Sequence, residues 1–265
     1  MPFRNKKICV IGCGGTGCEI LKIIYRFTRN IVIIDNDRIE ITNLNRQFFY
    51  SEDDCGEFKS KVLGEKLQLE FKTNKIEELD SIFLESFDLI FLCVDNIKTR
   101  MNVNFIVKRS NKNSILIDLG VEGLKCHVKK ITKETSCLYC IKDLFIQEQT
   151  IPLCTLSNVK EVTEENRERF LRSVAFEYDE IDEAMAIFNK KVNNIELITN
   201  KDEIAEYKRN IVPNVAYVNS ICASLAIKLL FDDENCFYFY DASKTIYLVK
   251  EKIEKDENCI VCNMK

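Results

Sequence analysis

The stretch KICVIGCGGTGCEILKIIY, Lys7 to Tyr25, restricts the fold more than any other part of the chain. A short β-branched run, ICVI at 8–11, passes directly into Gly12, Gly14, Gly15 and Gly17. A helical face comes next at Ile20, Leu21, Ile24 and Phe27. The run has no polar alternation, so it reads as a parallel strand buried on both faces. Gly12 permits the tight turn, Gly14 lets backbone approach a phosphate, and Gly17 lets the helix lie close on the strand. The helix N-terminus behind them attracts anions. Strand, turn and helix together predict a phosphate-binding βα unit. The fingerprint G-x-G-x-x-G alone does not say whether the phosphate belongs to a dinucleotide or to ATP.

The rest of the chain extends this unit. IVII at 31–34 is a second buried strand. A helix is predicted across 57–70, and strands at 88–94 (DLIFLCV) and 115–119 (ILIDL). Strands alternating with helices call for an α/β fold, a Rossmann-like doubly wound and mostly parallel sheet, with ligands at the carboxyl ends of its strands. From 124 the texture changes to a strand and turn, then to a polar loop, TIPLCTLSN. Residues 163–208 are charged and helical in pattern. AYVNSICASLAIKLL is an apolar helix rich in small residues, with strand-like runs after it at 236–240 and 245–249. The predicted organisation is therefore 1–150, a small helical insertion at 151–209, and a return to the main domain at 210–265.

Composition excludes more than it identifies. A net charge of −4 gives no basic surface for nucleic acid. No run approaches the ~18 apolar residues of a membrane span. The opening MPFRNKKICV enters a strand at once, so no signal peptide is expected and the expected setting is reducing, cytoplasmic or nuclear. The single histidine, His127, removes most hydrolase triads and is expected to be a satisfied polar residue on a strand face.

Thirteen cysteines are unusual for that setting. Cys9, Cys93 and Cys222 sit in apolar runs and read as core, and Cys13 and Cys18 as small buried fillers. Cys137-Leu-Tyr-Cys140 and Cys259-Ile-Val-Cys262 supply four thiolates, the complement of a closed tetrahedral zinc site that would staple mid-chain to C-terminus. Cys154 lies in the polar loop. From its residue context alone a packed thiol and a functional one both remain open.

Asp35 ends the second strand where an acid meets a ribose hydroxyl, a requirement NAD and ATP share. The residues beyond it separate the two. DNDRIEITNLNRQF carries Asp37, Asn43, Arg46 and Gln47, and CGEFK ends in Lys59. An NAD site needs no cations past the ribose acid. A site forming an acyl-adenylate does, because charge builds on the α-phosphate and on departing pyrophosphate.

These residues carry a resemblance. G-x-G-G-x-G, D-x-D-x-I-x-x-x-N-L-N-R-Q-F, G-x-x-K and the D-N of Asp95–Asn96 resemble the adenylation domain of ubiquitin-like-modifier-activating enzymes, of the ThiF/MoeB-like fold. The resemblance implies that Asp35 takes the ribose and that Asn43, Arg46 and Lys59 surround the phosphates. It also implies that Asp95 helps hold Mg²⁺, with Arg100 and Asn104 on family positions. An N-cap is the plain alternative for Asp95. P-x-C-T matches the family's thioester signature, which implies Cys154 as nucleophile. The family also carries a zinc site at the two cysteine pairs.

PLCTL, LIDLGVEGLKCHVKKI and NIVPNVAYVNS look most like the neddylation-activating catalytic class. The implied activity is adenylation of a modifier's C-terminus, thioester formation on Cys154 and transfer to a conjugating enzyme, by a heterodimer with a regulatory subunit. Lys129 falls where that class carries a basic residue that disfavours cationic modifier tails. Relatives continue past the second cysteine pair into a ubiquitin-fold domain, and none is expected here after CIVCNMK. A SUMO-activating subunit and a sulfur-carrier adenylyltransferase are the rival enzymes. A scaffold subunit is disfavoured by Arg46, Lys59, Asp95 and Cys154 in one chain, and a nicotinamide oxidoreductase by the lack of a hydride site.

Overall fold

Strand β1 (Ile8–Ile11) pairs in parallel with β2 (Ile31–Ile34) on one side and with β4 (Leu89–Leu92) on the other, and all three are buried throughout. The computed structural model describes residues 3–145, 161–178, 180–209, 215–232 and 236–263. With β3 (Glu70–Lys72), β5 (Ile115–Glu122), β6 (Lys125–Ile131), β7 (Cys236–Asp241) and β8 (Tyr247–Lys252) they form one sheet of order β3-β2-β1-β4-β5-β6-β7-β8. Pairing is parallel from β3 to β5 and antiparallel from β5 to β8. This is the mostly parallel α/β architecture the sequence predicts.

The period-2 alternation of each strand sorts its side chains between two cores. Ile8 and Val10, Ile31 and Ile33, and Leu89 and Phe91 face one core. Cys9 and Ile11, Val32 and Ile34, and Ile90 and Leu92 face the other. The first core receives helix α1 (Gly15–Ile24), helix α2 (Lys59–Leu67) and the Val218, Cys222, Ala223 and Ala226 face of the C-terminal helix at Ala216–Leu229. Its small residues let that helix lie close on the sheet. The second core receives Leu84 of helix α3 (Ser81–Glu85), Val103 and Val107 of helix α4 (Ile97–Arg109), and the two cysteine pairs.

Some elements are shorter or longer than their sequence patterns. Helix α1 stops at Ile24, so Phe27 leaves its face. Phe27 is 40% exposed and packs edge-on against Phe3 at 5.9 Å between ring centroids. Helix α2 ends where Gln68 turns left-handed at φ 56°, which releases the chain into β3. Strand β5 runs past 119 to Glu122, because its antiparallel pairing with β6 continues the ladder.

The chain divides into two compact units, Met1–Phe145 with Asn214–Lys265, and Ile146–Pro213. In the second unit, helices α5 (Glu164–Glu177), α6 (Ile181–Asn189) and α7 (Lys201–Arg209) close a small core around Phe170, Leu171, Val174, Phe188 and Ile204. Arg167 grips Glu203 through two parallel hydrogen bonds of 2.8 Å, the planar fork geometry that fixes α5 to α7. The C-terminal helix Ala216–Leu229 is α8.

Candidate active site and metal centre

Chain order reverses between β1 and β4, and a cavity of about 630 Å³ opens at that switch point. Gly12 leaves β1 at φ 95°, and a Cβ there would stand 2.7 Å from the Cys93 carbonyl oxygen. A Cβ on Gly17 would stand 1.9 Å from the Gly12 carbonyl oxygen. Both positions therefore require glycine. Gly14 caps α1 with no side chain on its first amides, and the first turn carries no acid. Gly14, Gly15 and Thr16 line the cavity, and a helix N-terminus placed there is able to meet an anion.

The sequence-predicted residues gather on this cavity. Gly12, Gly14, Gly15, Asp35, Asp37, Arg46, Gln47, Lys59, Asp95, Asn96 and Arg100 line it. Gly17 lies behind the loop as a packing residue. Asn43 faces away, its Oδ1 accepting the Glu40 amide at 3.1 Å to close a 3-10 turn. The Asp35 carboxylate accepts the amides of Cys13 at 2.5 Å and Asp37 at 2.7 Å, and so braces the glycine loop from the end of β2. Burial raises its pKa, against the pull of those amides and of Lys59.

Lys59 is buried and holds Asp37 Oδ2 at 3.1 Å, whereas the Asp37 side chain is 61% exposed. Arg46 is half-buried, anchored through Nη1 to the Thr42 carbonyl at 2.9 Å and Asn45 Oδ1 at 3.0 Å. Gln47 is 3% exposed and its Oε1 has no partner among the described residues. A buried polar atom left unpaired at a cavity wall is costly unless something polar meets it there. The cap of α4 falls on Asn96, whose side chain accepts the Thr99 amide at 2.7 Å. Asp95 is therefore exposed on the rim, outside that cap.

Arg100 closes the floor. Its guanidinium donates to Asp118 Oδ1 at 2.8 Å, to the Val94 carbonyl at 2.5 Å and to the Leu119 carbonyl at 2.6 Å, tying the ends of β4 and β5 together. Asp118 is fully buried, and its second oxygen meets His127 Nε2 at 3.0 Å. Burial pushes the Asp118 carboxyl up, but Arg100 and His127 outweigh it and hold it below the usual value. His127 stacks on Phe237 at 5.8 Å, the satisfied strand-face residue expected.

Asp118 and Asn219 escaped the sequence reading. Asn219, 1% exposed, lines the cavity and accepts from Thr16 Oγ1 at 3.1 Å across 203 residues. Both had a signal. A lone carboxylate in the apolar run ILIDL and a lone amide in a small-residue helix must each find a partner.

Helix α4 carries a second row of partners at four-residue steps. After Arg100 comes Asn104, whose Oδ1 accepts the Leu138 amide at 3.0 Å. After it comes Lys108, whose ammonium donates to the carbonyls of Thr132, Lys133 and Thr135 at 2.9, 3.0 and 2.9 Å. These two residues fix the turn that leads into the first cysteine pair.

There Cys137, Cys140, Cys259 and Cys262 converge, with all four Sγ atoms within 4.8 Å of one another. Cys137 Sγ lies 3.9 Å from that of Cys140 and 3.5 Å from that of Cys259, and Cys140 lies 3.6 Å from Cys262. A tetrahedron with metal–sulfur bonds of about 2.3 Å has sulfurs about 3.8 Å apart, so the donor set fits one zinc ion. The spacing is far from a disulfide at about 2.05 Å.

Beside this cluster Lys129 is fully buried, with Nζ donating to Ser136 Oγ at 2.8 Å. Burial lowers its pKa to about 8, against the opposing pull of Cys140, Cys137 and Asp118. The sequence expectation of a basic group facing a modifier's tail meets a side chain enclosed in the fold.

Burial pushes the thiols of Cys9, Cys13, Cys18 and Cys222 upward, that of Cys18 to about 12, which disfavours their thiolates, while Cys93, expected in the core, is half-buried and lines the cavity. Cys154 lies outside the described residues. No described helix is long and apolar enough to cross a membrane.

Comparison with known proteins agrees with this architecture. The NEDD8-activating enzyme E1 catalytic subunit of Arabidopsis thaliana is 29% identical over 296 residues, 97% of this chain and 65% of the plant protein. That of Saccharomyces cerevisiae is 30% identical over 295 residues, 97% of both chains. The chain thus spans just under two thirds of the plant relative and nearly all of the yeast one. Among solved structures, E. coli MccB with ATP superimposes with a TM-score of 0.63 at 20% identity, covering 98% of this chain and 68% of that one, a likeness of fold. Residues 2–261 match the ThiF family, and the chain belongs to it.

Proposed function

We propose that this protein activates a ubiquitin-like modifier of the Nedd/Rub class. It adenylates the modifier's C-terminus with Mg·ATP, takes the acyl group as a thioester on Cys154, and passes it to a conjugating enzyme. One observation carries the reading. Lys59, Arg46, Asp37 and Asp95 meet the uncapped first turn of α1 on one cavity, in a chain alignable nearly end to end with NEDD8-activating catalytic subunits.

The residues divide the work by charge. The α1 amides and Gly14 take phosphate oxygens. Lys59 and Arg46 offset the charge that develops on the α-phosphate and the leaving pyrophosphate, whereas the unpaired oxygen of Gln47 is an acceptor at the same wall for a hydroxyl or amino group of the nucleotide. Asp35 lies where a ribose would reach the end of β2. Its carboxylate oxygens retain acceptor capacity beyond the two amides. Asp95 is the carboxylate free to hold Mg²⁺, which supplies charge neutralisation on the phosphates when bound. Arg100 and Asn96 hold the β4 end and the start of α4 in place beneath it.

The modifier's carboxylate oxygen attacks the α-phosphorus, and the bond to pyrophosphate breaks. The Cys154 thiolate then attacks the activated carbonyl, and AMP leaves with the electron pair. An ordinary thiol suffices for so activated an ester. On this reading 1–150 and 210–265 are the adenylation domain and 151–209 the catalytic-cysteine region. The four clustered cysteines hold structural Zn²⁺, and the working enzyme is a heterodimer with a regulatory activating subunit in the cytoplasm or nucleus.

The test supplies Mg·ATP, candidate modifiers and a co-purified partner. It measures ATP–pyrophosphate exchange and runs a non-reducing gel. A NEDD8-type modifier is expected to drive exchange and become thiol-linked, and the Cys154→Ala variant to keep exchange while losing the linkage. Linkage of a SUMO-type modifier alone would transfer the chain to the SUMO class. Exchange with none would refute the activity.

A further inference from the structure

Lys129 is a fully buried ammonium with one hydrogen bond among the described residues, to Ser136 Oγ. The carboxylate directly across the β5–β6 ladder is Asp118, whose oxygens bond Arg100 and His127 and make no described ion pair with Lys129. The described ion pairs include none for Lys129. A buried cation with no ion pair and a single hydrogen-bond acceptor is costly to keep, so the fold should not hold it without a reason nearby.

The hydrogen bond shows where that reason lies. Ser136 directly precedes Cys137, and its hydroxyl in turn donates to the Ile253 carbonyl at 2.7 Å, on the segment that runs to Cys259. Lys129, Ser136 and Ile253 therefore join the two arms that bring the four cysteines together. Four thiolates around one Zn²⁺ leave two negative charges in a largely buried cluster, the missing counter-charge.

We propose that Lys129 is a positioning residue of the metal centre: its ammonium balances the zinc tetrathiolate and, through Ser136, holds the two cysteine arms in register. Cation and cluster are each unfavourable to bury alone and are stabilised together. This rests on the zinc reading above and places Lys129 with the metal, where the sequence resemblance placed it with the modifier's tail.

The test compares wild type, Lys129→Met, Lys129→Arg and Lys108→Met, as the full chain with its partner. Zinc affinity is read by competition with a chromophoric chelator, and Tm is read for zinc-loaded and metal-free protein. Lys129→Met should bind zinc about 10–100-fold more weakly. Its metal-free Tm should equal or exceed that of metal-free wild type, because a lone buried charge has gone. Lys129→Arg should hold zinc as wild type does. Lys108→Met loosens three carbonyl contacts that need no metal, so its Tm should fall in both states.

The proposal is overturned if Lys129→Met keeps wild-type zinc affinity, including the case in which only its choice of modifier changes. A Tm loss as large without metal as with it overturns it too. A wild-type chain that binds no zinc sinks the zinc reading itself, and this inference with it, in an arm where no variant is involved.

Discussion

Arg100→Met isolates the buried ion pair beneath the glycine-loop cavity. The methionine keeps most of the arginine's apolar stem but removes the donors to Asp118, Val94 and Leu119. Asp118 is then left fully buried with only His127. Breaking a buried pair by deleting one partner costs about 3–5 kcal/mol, because the remaining charge is uncompensated. For a unit of this size each kcal/mol moves Tm by about 2–4 °C, so the melt should fall by roughly 6–20 °C. Removing the carboxylate as well, in Arg100→Met/Asp118→Leu, should return stability to within about 1 kcal/mol of wild type, since an apolar replacement avoids the desolvation cost. Far-UV circular dichroism melts of all three proteins give the answer. A single variant that loses less than about 1 kcal/mol, or a double variant no better than the single, would refute the view that Arg100 exists to compensate Asp118.

The same geometry sets three other outcomes. Lys59→Ala should cut pyrophosphate exchange by about 10²–10³ while leaving Tm near wild type, as loss of one preorganised charge donor does; unchanged exchange would detach Lys59 from the phosphates. The depressed pKa of Asp118 contributes stability that is complete above its unfolded value of about 3.9 and lost as pH falls below it toward the folded value. Urea midpoints between pH 6 and pH 3 should accordingly fall more steeply for wild type than for Asp118→Asn, and parallel slopes would count against the linkage. Cys259→Ser should abolish stoichiometric zinc and lower Tm, read by metal analysis of the purified protein; full zinc content would remove Cys259 from the donor set.

The sequence made the sheet legible because its signal is local. ICVI, IVII and LIFL carry buried β-branched or apolar residues at every position, and a glycine turn sets the path of the chain after the first of them. The cysteine cluster was legible because its chemistry is a spacing rule, C-x-x-C twice. Pairing across distance stayed hidden. Thr16 meets Asn219 and Arg100 meets Asp118 only once the sheet order exists, and no periodicity encodes which polar groups will share one interior. Two neighbouring residues show the limit at its finest. Asp95 and Asn96 both suit a helix cap, and the choice of Asn96 depends on where α4 begins, a matter of one residue. Lys129 shows the converse, since a strand lysine reads as solvent-facing until the fold encloses it.

Helix α4 has a consequence for how a chain like this can vary. Arg100, Asn104 and Lys108 engage partners at its two ends and middle in a single line. One residue gained or lost between them would swing the later rungs by about 100° around the axis and shift them by about 1.5 Å. Surface loops can lengthen at little thermodynamic cost. This rod cannot, so its span works as a gauge that sets the separation between the glycine-loop cavity and the cysteine cluster.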